Sequence, residues 1–254
     1  MNNLNTDFVG ILGFIFIAFF LILMILWVVF DRMGAHGKLR EISTFSHLRH
    51  QIGLAVEAGQ RLHLSLGYGG VFGWQSGSAF VGLSILKRIA QTASFADIPP
   101  IATSGEAVEA ILSQDTLQTS YNILGEENQY SHIDGQVSGL TPFSFTVGII
   151  PVIYDQNVST HILSGSFGGE VAVISEAIQR NGSTTIAGSD SLTAQAILFS
   201  FTDRLLIGEE LYASGAYLQA GDFHIASLKT QDIFRWLLVL IIGFGSVLKL
   251  MGIL

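Results

Sequence analysis

From Phe8 to Phe30 the chain runs without a charged residue, and from Ile233 to Leu254 a second apolar stretch is interrupted only by Arg235 and Lys249. A bilayer core about 30 Å thick is crossed by ~20 apolar residues of helix. Both stretches meet that length, so the chain reads as two membrane spans, 8–30 and 233–254. Between them lie a juxtamembrane segment, 31–60, and one inserted domain, 61–228, with a short external segment, 1–7, before the first span. The inserted region, roughly 190 residues long, is enough for one domain with a sizeable core.

Charge predicts the orientation. Arg32, Lys38, Arg40 and Arg49 follow the first span, Lys229 and Arg235 flank the start of the second, and Met1–Asp7 holds no basic residue. Under the positive-inside rule the central domain faces the cytoplasm of a cell-membrane protein. The same residues can attract anionic membrane lipid, at ~1 kcal/mol each near the surface. A cleaved secretory signal needs a basic leader, a shorter apolar core and a small-residue cleavage site; the first span has none of these and reads as an uncleaved anchor. The chain contains no cysteine, which excludes disulfides and thiolate metal sites and fits a reducing compartment.

Between Ile89 and Leu228 the only basic residues are Arg180 and Arg204, against fifteen Asp and Glu, a net charge of −13. Nucleic-acid binding rests on basic residues that displace condensed counterions. This charge balance excludes nucleic acid as a partner.

Within the domain, short β-rich runs alternate with helical ones. Arg61–Leu66 alternates as a strand before a Gly-rich turn, and Ser78–Ala96 follows as a helix. Pro100–Thr103 then leads through Ser104-Gly105 into a helix over Glu106–Leu124. Past an acidic connection, Gln136–Leu140 is a short strand. Thr141-Pro142 starts a helix over Phe143–Asp155, which Pro151 should bend or end. Thr160–Leu163, Thr184–Ala187 and Arg204–Ile207 are further strands, each followed by a helix, the last over Leu211–Leu218. Parallel strands need crossovers, and right-handed crossovers cover both sheet faces. The predicted fold is therefore α/β: a doubly wound, mostly parallel sheet of about six strands, inserted between two transmembrane helices.

Ligands of such sheets bind at the carboxyl edge of the strands. Five small, polar turns gather there: Gly67–Gly73, Thr103–Glu106, Ser164–Glu170, Gly188–Ser191 and Gly208–Glu210. The candidate ligand-binding residues are Gly67, Gly69, Gly70, Ser104, Glu106, Ser166, Gly168, Glu170, Ser189, Asp190 and Glu209. Helix N-termini at that edge offer unpaired amides that suit an anion. Gly67-x-Gly69-Gly70-x-x-Gly73 approaches a dinucleotide fingerprint, but Phe72 stands where the third glycine belongs and no acidic residue closes the second strand. No lysine follows the glycines as in a phosphate-gripping P-loop. Ser164-Gly165-Ser166-Phe167-Gly168 approaches a nucleophile elbow, with serine in place of its first glycine and only His224 downstream. His47-x-x-His50 can share one helix face but lacks a third metal ligand. Glu106, Glu170, Asp190 and Glu209 stand at helix starts, where dipole capping explains them and a cation-binding cluster is the sharper alternative. No catalytic residue, metal site or cofactor is assigned.

A series of segments, Arg61-Leu-His-Leu-Ser-Leu-Gly67, Ile162-Leu-Ser-Gly-Ser-Phe-Gly-Gly-Glu170, Ile186-Ala-Gly-Ser189, Leu206-Ile-Gly-Glu-Glu-Leu-Tyr212 and Gly215-Ala-Tyr-Leu218, resembles a family of bacterial and archaeal membrane proteins of unknown function, met often in Chloroflexi-type genomes. The resemblance implies two terminal anchors around a Rossmann-like domain and no particular reaction. The expected role is a non-enzymatic scaffold or subunit of a larger membrane assembly that self-associates through its α/β domain as a homo-oligomer or docks a membrane partner. Tyr68, Phe72, Trp74, Tyr212 and Tyr217 are aromatic candidates for those contacts. The alternative is a small-ligand sensor or enzyme acting at the Gly-rich edge. A pore built from the spans finds no support, since neither carries a buried carboxylate or polar stripe.

Overall fold

The computed structural model describes residues 2–32, 39–73, 75–93, 98–125, 130–219 and 221–252. Lys38 and Trp74 lie outside them, as do the side chain of Arg32, the end of the helix predicted to reach Ala96 and part of the acidic connection after Leu124. In chain order the elements are α1 (Asn2–Arg32), α2 (Ser43–Glu57), β1 (Arg61–Gly67), α3 (Ser76–Ala93), β2 (Ile101–Ser104) and α4 (Ala107–Leu124). They continue with β3 (Gly135–Val137), α5 (Pro142–Asp155), β4 (Val158–Ser166), α6 (Val171–Asn181), β5 (Thr184–Ser189) and α7 (Leu192–Phe201). Last come β6 (Leu205–Leu206), α8 (Glu209–Tyr212), α9 (Ser214–Tyr217) and α10 (Asp222–Leu250). These elements form two compact units, Met1–Leu39 with Gly221–Leu254, and Arg40–Ala220.

The first unit holds two helices long and apolar enough to cross a membrane, over Gly10–Asp31 and Asp222–Leu250. An apolar environment forces each such segment to satisfy its own backbone, which a helix does. The two meet through Phe234, whose ring lies 4.8 Å from that of Phe16 and 5.7 Å from those of Phe19 and Phe20. Lys229 ion-pairs with Asp31 and stands 4.9 Å from the Trp27 ring centre. The cation predicted as a topology determinant thus also ties one helix to the other.

The second unit is a six-stranded, all-parallel sheet in the order β3-β2-β1-β4-β5-β6. Helices cover both faces, so the central strands are buried on both sides, β1 from Leu62 to Gly67 and β4 from Thr160 to Ser166, although both carry polar residues among the apolar ones. On one face Leu62, Leu64 and Leu66 of β1, with Ile162 and Ile186, pack against Phe45, Leu48 and Ile52 of α2, Leu86 and Ile89 of α3, and Leu117 and Tyr121 of α4. On the other face Leu163, Ala187 and Leu205 pack against Phe145, Ile149 and Ile153 of α5, Ile174 and Ile178 of α6, and Leu198 of α7. α3 and α6 therefore leave β1 and β4 toward opposite faces, which makes the gap between these two strands the topological switch point.

Local chemistry sets the element ends. α5 opens with a reciprocal cap between Thr141 and Ser144 and with Pro142 in its first turn. It runs past Pro151 to Asp155 rather than stopping there: the carbonyl that proline leaves unpaired belongs to Val147, a residue on the exposed face of the helix and open to solvent. α4 and α6 end at Gly125 and Gly182, both left-handed. The single helix expected over Leu211–Leu218 is instead the two short helices α8 and α9, broken at Ala213, where the Ser214 hydroxyl bonds the carbonyl of Leu211 and competes with the helical ladder.

One polar chain crosses the core. His63 on β1 and His161 on β4 are register partners, with their Nδ1 atoms 2.9 Å apart, and His63 Nε2 lies 2.8 Å from the Thr103 hydroxyl on β2. Burial lowers both rings' proton affinity: His161 falls to about 3, and His63 lies well below its usual value, with the charge of His161 as a second cause. Both are neutral at pH 7. The unfolded chain takes up these protons near pH 6.5 and the folded chain does not, so stability is complete above that pH and declines as pH falls toward 3. The expected outcome is a melting temperature of the full chain in detergent that drops between pH 6.5 and 4; a His161→Leu variant shows a shallower drop, and equal slopes would exclude the histidine pair as its source.

Candidate functional site

The turn after β1 is clamped from both sides. The amide of Tyr68 donates to the carbonyl of Ser166 at 3.0 Å, and the amide of Gly105 donates to the carbonyl of Gly67 at 2.6 Å. The turns after β1, β2 and β4 are thereby joined directly across the switch point. Gly70 adopts φ +78°, which favours glycine, and a side chain there would meet the Glu106 carboxylate.

That carboxylate is central to the site. The amide of Val71 donates to Glu106 Oε2 and the amide of Gly70 to Glu109 Oε1, both at 3.1 Å. In a dinucleotide-binding version of this fold the same stretch of backbone approaches the pyrophosphate. Here two acidic side chains of the chain itself take the donors. A similar exchange follows β4, where the amide of Gly168 donates to Glu170 Oε1 at 2.7 Å. Tyr68 fills the space between: a Cβ on Gly168 would lie 2.5 Å from its hydroxyl and 2.7 Å from Glu170 Oε2. One on Gly69 would lie 3.0 Å from Ser166 Oγ.

The remaining candidates serve neighbouring turns. Ser104 donates to the carbonyl of Glu106 at 3.0 Å, and Ser189 Oγ accepts from the amides of Phe167 and Ser191, each at 3.3 Å. Asp190 accepts from the Ser78 hydroxyl of α3 at 2.9 Å. Glu209 opens α8, and Arg40 ion-pairs with its neighbour Glu210 at 2.9 Å. The structure thus brings Gly67, Gly69, Gly70, Ser104, Glu106, Ser166, Gly168 and Glu170 into one cluster, links Ser189 to it through Phe167, and places Asp190 against α3.

Two expectations change. Glu106 and Glu170 stand at the N-caps of α4 and α6 but form no side-chain bond to those helices, because the turn amides before them are nearer partners. α7 is capped by Ser191, which accepts from the amide of Ala194, and Asp190 turns away to α3. Among the described residues no group of three or more His, Asp, Glu or Cys is placed to hold a metal ion, so the four helix-start carboxylates do not gather around a cation.

Glu109 is the residue that sequence reasoning passed over. It is fully buried in the first turn of α4, its Oε2 has no hydrogen-bond partner, and it sits three residues after Glu106. Burial pushes its pKa up to about 8, the nearby Glu106 charge adds to the rise, and the bond from Gly70 opposes it. At pH 7 Glu109 therefore holds its proton. The signal was available as Glu106-x-x-Glu109, two acids at a spacing that places them on one side of a helix start. Tyr68 ionises less readily than usual because of its burial and the charges of Glu170 and Asp190.

The aromatic candidates separate. Phe72 is exposed, Tyr212 is half-exposed, and Tyr217 is a packing residue stacked on Phe45 at 4.8 Å, with its hydroxyl donating to the Arg40 carbonyl and its own carbonyl held by Arg49. Two of the basic residues that predict the orientation are therefore bonded within the α/β unit.

The paired turns, the sheet behind them and the two apolar helices fall together in one sequence family, a domain of unknown function (DUF6754) whose model matches residues 5–254. The chain belongs to the DUF6754 family. Comparison with curated proteins and with solved structures finds no match. Since the DUF6754 match takes in both α1 and α10, the unit shared by the family is the sheet together with its two apolar helices.

Glu109 gives a test of this arrangement. The unfolded chain ionises it near pH 4.5 and the folded chain only near 8, so its contribution is complete below pH 4.5 and is lost as pH rises to 8. Glu109→Gln keeps the acceptor for Gly70 and removes the titration. The variant is expected to be more stable than the parent at pH 8, by about 1–4 kcal/mol, and nearly equal to it at pH 4.5, as read by thermal unfolding; equal pH profiles would refute the raised pKa.

Proposed function

We propose that this protein is a non-enzymatic, membrane-anchored scaffold or subunit of a larger membrane assembly, with its α/β unit in the cytoplasm and self-associating there. The observation that carries this reading is the self-filling of the carboxyl edge. The Gly-rich turn presents no spare donors at Gly70 and Val71, since Glu106 and Glu109 hold them, and Tyr68 occupies the space beside Gly168. A sensor or enzyme using that edge would first have to displace two of its own acidic side chains.

The outer faces of α5 and α7 support self-association. Phe143 is 85% exposed and Val147 67% on α5, and Leu192 is 82% and Phe199 70% on α7. Exposed apolar patches of this kind mark interaction sites. Neither outer face carries a charge: α7 has no charged residue and α5 has only its last one, Asp155. In a region with a net charge of −13 between Ile89 and Leu228, two copies repel each other except where charge is missing, and these faces provide that place. A basic stripe suited to anionic headgroups is also absent from both helices, which favours a protein partner over the bilayer.

The full chain in mild detergent is expected to be a defined oligomer by native mass spectrometry. Phe143→Glu combined with Phe199→Glu is expected to weaken it about tenfold or more, since burying an unpaired carboxylate costs well over 1.4 kcal/mol, while the melting temperature holds. A parent chain that remains monomeric over a wide concentration range would overturn the proposal.

A further inference from the structure

A cleft of about 420 Å³ opens in the α/β unit at the start of α2, within the size range of small-molecule sites. It is lined by Ser43 and Thr44 in the first turn of α2, by His47 and His50 one turn on, and by Asp203 and Arg204 immediately before β6. None of these belongs to the carboxyl-edge cluster described above.

Four independent features of this cleft favour an oxyanion. First, Ile42, the N-cap of α2, provides no side-chain acceptor, so the amides of Ser43 and Thr44 project from a fifteen-residue helix without a partner among the described residues. Second, Thr44 is only 7% exposed, lines the cleft, and its hydroxyl has no partner among the described residues. Third, Arg204 is one of two basic residues between Ile89 and Leu228. The other, Arg180, is bound to Glu176 at 2.6 Å, whereas the guanidinium of Arg204 has no ion-pair partner among the described residues. An acidic region that leaves its one unpaired guanidinium in a cleft, facing a helix N-terminus, holds a ready counter-charge for an anion. Fourth, His47 and His50 line the same cleft with their ring centres 6.5 Å apart, and each ring has at least one N–H to offer. His47 also contacts Gln51 Nε2 at 3.2 Å.

Asp203 decides which anion. A carboxylate on the rim repels an oxyanion that has no hydrogen to offer and accepts a hydrogen bond from one that retains a proton. The second pKa of a phosphate group lies near neutrality, at about 6 for a monoester, so a bound phosphate can carry a proton at pH 7, whereas sulfate cannot. We propose that this cleft binds a protonated phosphate group, held by Arg204, the Ser43 and Thr44 amides and the Thr44 hydroxyl, with Asp203 accepting a hydrogen bond from the phosphate hydroxyl. The group belongs either to a free phosphate compound or to a phosphate-monoester lipid headgroup, and the chemistry of recognition is the same for both. The inference does not depend on the scaffold reading, because neither the filled turns nor the outer faces of α5 and α7 contribute to it.

The test is calorimetric titration of the full chain in phosphatidylcholine nanodiscs at pH 7, with inorganic phosphate and, separately, with inorganic sulfate. Saturable phosphate binding, at least several-fold tighter than that of sulfate, is expected. Arg204→Gln should weaken it about tenfold, the equivalent of one charge-assisted hydrogen bond, and Thr44→Val should weaken it less, each with an unchanged melting temperature. Repeating the titration in discs that contain phosphatidic acid separates the sources: loss of phosphate uptake assigns the site to the lipid headgroup, and unchanged uptake assigns it to a free phosphate compound. No saturable phosphate binding, or binding that both variants leave intact, would overturn the site; sulfate binding equal to that of phosphate would overturn the role of Asp203.

Discussion

The pairing of β1 with β4 is the interaction on which the rest of the α/β unit depends. It joins β3-β2-β1 to β4-β5-β6 in one sheet, and the helices after these two strands leave on opposite faces. The ladder continues beyond the strands, because the Tyr68 amide donates to the Ser166 carbonyl where the two turns meet. It also carries the buried contact between His63 and His161. A crevice opens at such a switch point when the following turns diverge, and ligands of this fold enter there. Here the turns stay in contact, and the crevice contains Tyr68 and the carboxylates around it.

Backbone amides at the ends of parallel strands need partners whether or not a ligand is present. Most nucleotide-binding versions of the fold leave that need to phosphate. In this chain Glu106, Glu109 and Glu170 meet it from within, at the cost of holding Glu106 and Glu109 close together in a buried place. The raised pKa of Glu109 is the consequence: one of the two acids keeps its proton, which limits the repulsion. The glycines of the turn are then explained without a cofactor, since Gly70 supplies a positive φ and Gly168 leaves room for the Tyr68 hydroxyl.

Much of the architecture was legible in the residues. The alternation of short apolar runs with amphipathic ones leads to a parallel α/β sheet, and Thr141-Pro142 and Asn181-Gly182 mark helix ends where the structure has them. The errors fall where a long-range pairing or a local side-chain bond overrides the periodic pattern. β4 extends to Ser166, beyond the segment read as strand, because it pairs on both sides with β1 and β5. The last helix divides at Ala213, since a serine hydroxyl competes for its carbonyls. The site was half legible: glycine-rich turns at the carboxyl edge were visible, but the direction in which Glu106 points was not, because its partner Val71 lies 35 residues away along the chain and only the sheet brings that turn beside it.

By itself the sequence determined which segments are long and apolar enough to span a bilayer, that the sheet is parallel and covered on both faces, and that most of the inserted region is acidic. These follow from length, period and charge, which are properties of the local chain. Only the tertiary structure decided that the β1 and β4 turns close on each other, that Glu109 is buried next to Glu106, and that Arg204 meets the start of α2. Each of these joins residues distant along the chain, and their partners are chosen by the register of parallel strands, which no local pattern encodes.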